Sequence, residues 1–133
     1  MMFVTSSRKP SPEVRRLAKE IAFALDIPYV QRGKAGLQKI DDEDQVIIFL
    51  FGAKYGWQIF DLTVSGKIVS SMLITNVLMS ERCGPFHHGF VIRERELYDT
   101  LSPHIQVMFD SKATGLIVFS GTQKMQYILQ VMV

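Results

Sequence analysis

Cysteine is almost absent from this chain: Cys83 stands alone, so no disulfide can close within it. A fold without internal bridges suits a reducing compartment. The lone thiol also leaves too few sulfur ligands for a typical structural zinc site. Long hydrophobic runs are missing too, and no window reaches the roughly 18 apolar residues of a membrane-spanning helix. The opening MMFVTSSRKP has a short apolar run with its charges behind it, unlike a secretory signal. The cytoplasm is therefore the expected location. The spaced glycines of a Walker loop or a dinucleotide fingerprint do not occur, and no cofactor is expected. No linker, low-complexity tract or short repeat breaks the 133 residues, so one domain over 1–133 is expected.

What is present reads as globular, because 47% of residues are hydrophobic and only 21% charged. The formal charge of +2 conceals an asymmetry. Residues 1–40 hold eight Lys or Arg (Arg8, Lys9, Arg15, Arg16, Lys19, Arg32, Lys34, Lys39) against Glu13, Glu20 and Asp26. The remainder holds seven bases against ten acids. Such a split suits a basic face turned to a polyanion, or equally a solvated surface with no partner.

The pattern predicts a strand at MMFVTS. Ser11 then offers a helix cap and Pro12 fits the first helical position. Val14, Leu17, Ala18, Ile21, Ala22 and Leu25 follow at helical spacing, so one stripe faces a core. Arg15, Arg16, Lys19 and Glu20 fall off that stripe, and Asp26 with Pro28 ends the helix. PYVQRGK reads as a short strand turning at Gly33, and AGLQKI offers at most two helical turns before the acidic DDED. QVIIFLF reads as a strand buried on both faces. GWQIFDLTV and GKIVSSMLITNVLM flank a turn at Ser65-Gly66, which predicts a hairpin. CGPFHHG reads as a loop and RERELYDTL as a short helix. HIQVMF, GLIVFS and MQYILQVMV read as three further strands. Strands outnumber helices, which argues for an α/β fold, a mixed sheet with packed helices.

Thr5 to Ser11 joins a strand to a helix N-terminus, where unpaired amides and the helix dipole favour anions. Arg8 can fork onto phosphate oxygens, Lys9 adds a point charge, and Ser6, Ser7 and Ser11 supply hydroxyls. A second basic element, Gln31-Arg32-Gly33-Lys34, follows the helix. Parallel strands in a strand–helix–strand unit end at the same edge of a sheet, so the two basic loops are expected to be neighbours. Cys83, His87 and His88 are weak metal candidates that read better as a polar loop, and DDED reads as a solvated turn. Phe49, Phe51, Tyr55, Trp57 and Phe60 are candidates for base stacking, with core packing expected for most.

TSSRKPSPEVRRLAKEIAFAL followed by YVQRGKAGLQKI resembles the opening of the Brix domain family. The matching positions are Thr5, Ser7, Arg8, Lys9, Pro10, Ser11, Arg15, Arg32, Gly33 and Lys34, all within the first 40 residues. GLIVFSGTQKMQYILQVMV is loosely similar to the family's closing strand–turn–strand. After RGK the family continues into a fuller helix, where this chain has AGLQKIDDEDQ. The resemblance implies two α/β halves akin to the anticodon-binding domain of class II aminoacyl-tRNA synthetases. It also implies a small stand-alone protein of the archaeal type, a ribosome-biogenesis factor associated with precursor ribosomal RNA and with other assembly factors.

The expected function is thus non-enzymatic RNA binding that assists rRNA processing or folding. Arg8, Lys9, Arg15, Arg32 and Lys34 would neutralise phosphates, with Ser7, Ser11 and Gly33 shaping the surface and Arg16 and Lys19 as lesser members. An enzyme using the Thr5–Ser11 loop as anion site for a phosphorylated small molecule is the alternative, although no convincing base or nucleophile lies near. A module that docks an acidic protein is a third.

Overall fold

The first strand, β1 (Met2–Ser6), is buried from Phe3 to Ser6. The computed structural model describes residues 2–7, 9–31 and 45–132. Helix α1 (Pro12–Leu25) begins as predicted: the Ser11 hydroxyl accepts the Val14 N–H at 3.3 Å and Pro12 takes the first helical position. It ends at Asp26, whose left-handed backbone (φ 56°) sends its N–H to the carbonyls of Ala22 and Phe23. The six predicted stripe residues are all buried, and Ala24 joins them. Each fully buried Leu or Ile there contributes about 1.5–3 kcal/mol.

Strands β2 (Val46–Gly52), β3 (Gln58–Val64) and β4 (Lys67–Glu81) follow, with the β3–β4 turn at Ser65-Gly66 as predicted. Lys54–Gly56 forms a single 3-10 turn between β2 and β3. Beyond the loop after β4 come β5 (Phe90–Ile92), α2 (Arg95–Leu101), β6 (Val107–Phe109), β7 (Ile117–Ser120) and β8 (Met125–Met132). Strand β5 is not foreseen by the sequence pattern, since three residues are too few to show alternation. HIQVMF narrows to the three residues of β6. PYVQRGK supplies one bridge, Tyr29 beside Val4, with the Val4 N–H donating to the Pro28 carbonyl and the Val30 N–H to the Val4 carbonyl. The expected turns at AGLQKI and DDED lie outside the described residues.

The eight strands make one sheet in the order β1-β2-β3-β4-β8-β7-β5-β6. Pairing is antiparallel except at the ends, where β1 runs parallel to β2 and β5 to β6. Outward from the β4–β8 seam each half shows the same pairing pattern, antiparallel, antiparallel, then parallel, with equivalent strands running in opposite directions. Chain order does not repeat. The chain runs from the outer strand to the inner one across α1, and from the inner to the outer across α2.

Both helices cover the same face. Val4, Ile48, Leu50, Phe60, Leu62, Met72, Ile74, Phe90, Ile92, Ile117, Phe119, Tyr127 and Leu129 join the buried α1 residues and Leu97 and Leu101 of α2 in one core. QVIIFLF is buried on both faces only in part: Ile47 is buried opposite the helices, whereas Phe49 and Phe51 are half-exposed. No described helix packs over that second face.

Candidate nucleic-acid interface

The parallel bridge between β1 and Tyr29 makes both segments leave the sheet at one edge. Thr5 donates its hydroxyl to the Val30 carbonyl at 2.7 Å, and Ser6 Oγ shares a 2.7 Å hydrogen bond with the Tyr29 hydroxyl. These two hydroxyls lock the strands together at the mouth of the loop. Ser6, 2% exposed, is thus no phosphate donor, contrary to the sequence expectation. Ser7 is half-buried, its N–H donating to the Leu50 carbonyl at 3.2 Å.

Of the predicted site residues, Lys9, Ser11 and Arg15 are exposed around the start of α1. The Ser11 hydroxyl accepts from Val14, which leaves its own proton to donate. Arg8, Arg32, Gly33 and Lys34 lie outside the described residues. The structure brings the exits toward the two basic loops together at Ser7 and Val30, and of the loop cations it describes Lys9.

Arg16 and Lys19, ranked lower from sequence, are exposed on the same helical face as Arg15. Pro10, Pro12, Arg15, Arg16, Lys19 and Glu20 line a shallow cleft along it. Lys19 Nζ sits 5.9 Å from the centre of the Tyr29 ring, a cation–π arrangement. Among the described residues the ion pair within 4 Å joins Arg95 to Asp99, so no described carboxylate neutralises Arg15, Arg16 or Lys19. Glu20 lines the cleft beside them, and its carboxylate accepts from the Thr122 N–H at 2.9 Å and from the Thr122 hydroxyl at 2.6 Å. The positive end of the helix dipole lies at the same end of α1. The arrangement can hold a chain of phosphates, and among the described residues it pairs no general base with a nucleophile.

Tyr127 closes the core beneath this face, its ring stacked on Phe119 at 5.1 Å. Burial pushes its phenol above the ordinary value, the Glu20 charge and a hydrogen bond to Glu20 add to the rise, and Arg16 opposes it. Phe60 is core, as expected, but Tyr55 is 84% exposed, with its ring centre 5.3 Å from that of Trp57. His88 Nδ1 approaches the Ala24 carbonyl at 3.4 Å, and Cys83 is exposed. Among the described residues no three His, Cys, Asp or Glu gather as a metal site. No helix among them is long and apolar enough to cross a membrane.

One residue escaped the sequence reading. Gln58 lies 7% exposed on the helix-covered face of β3, and its Oε1 is buried without a hydrogen-bond partner. The alternation Gln58, Phe60, Leu62 is the signal that marks it as inward-facing.

No family model and no curated protein matches the chain. A solved structure does: the crystal structure of Mil, an archaeal Imp4-like protein, is similar over 100% of this chain and 99% of that one, with a TM-score of 0.54. The two sequences are 15% identical, so what they share is the fold.

Proposed function

We propose that this chain is a non-catalytic factor of ribosome biogenesis that binds precursor ribosomal RNA. The observation that carries the reading is the row of exposed cations Arg15, Arg16 and Lys19, with no described carboxylate within 4 Å, beside Lys9 at the start of α1. Arg8, Arg32 and Lys34 extend this surface in the proposal, since both of their segments depart from the edge where β1 meets Tyr29 and Val30. The Brix resemblance of the first 40 residues supplies the class of partner, and the fold likeness to an archaeal Imp4-like protein agrees with it. Phosphate contacts of this kind position an RNA without reading its sequence. Specificity then rests on RNA shape and on unpaired bases.

Ultraviolet cross-linking to precursor ribosomal RNA fragments, followed by mass spectrometry of the linked peptides, tests this placement. Cross-links are expected within residues 7–19 and 29–39. Cross-links confined to α2 and β5–β8 would overturn it.

A further inference from the structure

The basic cleft on α1 does not end at Arg16. The same side chain also lines a second cavity, of about 380 Å³, between α1 and the ends of β3, β4 and β8. That size falls within the range of about 300–1,000 Å³ typical of small-molecule sites. Its lining combines the apolar Leu17, Ile74, Val77 and Met79 with the amides of Gln58 and Asn76. Tyr55 also lines it, 84% exposed and on a left-handed backbone (φ 63°). An exposed aromatic ring beside an apolar lining suits a planar ligand. A buried amide oxygen with no partner suits one whose edge carries an N–H.

We propose that this cavity receives one unpaired nucleobase of the RNA whose phosphates lie along Arg15, Arg16 and Lys19. The inference rests on the RNA-binding reading and deepens it, by adding base contact to backbone contact. Arg16 sits where the sugar–phosphate chain would pass from cleft to cavity. The base stacks on Tyr55 and offers an N–H to Gln58. Glu13, an acid on the rim, is a further acceptor for an exocyclic amine and keeps phosphates toward the Arg16 side. A phosphate alone would leave Tyr55 and the Gln58 oxygen unused, which is why a base is the better occupant.

The chain carries its own reporter, because Trp57 is its sole tryptophan and touches the Tyr55 ring. The test titrates single-stranded oligoadenylate and an abasic RNA of equal length into wild type, Tyr55→Ala and Gln58→Leu. Anisotropy of a dye on the RNA reads total binding, and Trp57 emission reads stacking. Wild type is expected to bind the base-bearing RNA at least roughly fivefold more tightly than the abasic one, in line with base–aromatic stacking. Only the base-bearing RNA should quench Trp57. Tyr55→Ala, a surface change, should bring the two RNAs close to parity while keeping salt-dependent binding. Gln58→Leu should keep the quench and weaken base-bearing binding several-fold. Equal, salt-dependent binding of both RNAs with unmoved Trp57 emission would overturn the cavity assignment and leave the RNA reading standing. No binding of either RNA by wild type would overturn both.

Discussion

At the scale of single residues, the surface is prepared by groups that are not themselves cations. Ser11 satisfies a free amide at the start of α1 and so fixes the direction from which Arg15 and Lys19 project. Ser11→Ala should cost about 1 kcal/mol of stability, read from urea denaturation, and a shift below the error of the fit would contradict the cap. Tyr127 gives a pH-dependent signature. Its folded phenol titrates above the ordinary value of 10.0, chiefly through burial and then through Glu20. The neutral phenol therefore contributes stability below that pH, and the contribution is lost as pH rises through the folded value. The stability difference between wild type and Tyr127→Phe should shrink as the pH rises past 10, and a constant difference would contradict this account. Residue-scale features were unevenly legible in the sequence. Ser11, Pro12 and the α1 stripe announce themselves by local chemistry and period. Glu20 looked like one more solvated charge, because its partner Thr122 is 102 positions away.

At the scale of elements, α1 is more than a carrier of charge. It packs on β1 and β2 and reaches β7. Glu20 ties its middle to the β7–β8 turn through Thr122, and the Gly89 N–H bonds its Ala24 carbonyl at 2.7 Å. The helix thus links both halves of the sheet. Gly89 itself is held at φ +95°, and an added Cβ would stand 2.8 Å from the Gln106 carbonyl oxygen. Gly89→Ala should therefore cost about 2 kcal/mol or more, measured by chemical denaturation, and a near-neutral change would argue against this junction. Ile21→Ala, in the buried stripe, should cost about 2–5 kcal/mol by the same measurement, and a loss well below that range would contradict its place in the core. Long elements were readable from the helical period of α1, from the Ser65-Gly66 turn between β3 and β4, and from the β-branched and aromatic content of β8. Strand β5, three residues long, is defined by its neighbours and not by its own pattern, whereas the equally short β6 was legible within HIQVMF.

At the scale of the whole molecule, the sheet repeats one pairing pattern on each side of the β4–β8 seam while the chain visits the strands in different orders. That explains why the two halves were not visible as a repeat: spatially equivalent strands occupy non-equivalent sequence positions, and β4 has 15 residues where β8 has 8. The charge asymmetry, by contrast, survives folding as a surface, since α1 turns Arg15, Arg16 and Lys19 outward and engages Glu20 with Thr122. The central claim is that this surface binds RNA by neutralising phosphates, and salt dependence tests it most directly. The measurement is the affinity for a single-stranded precursor ribosomal RNA fragment across a series of salt concentrations, for wild type and for Arg15→Gln/Lys19→Gln. Each neutralised phosphate contributes a log–log slope of about −0.7, so the double variant should bind more weakly with a slope shallower by about 1.4. An affinity that ignores salt, or a variant with the wild-type slope, would contradict the account.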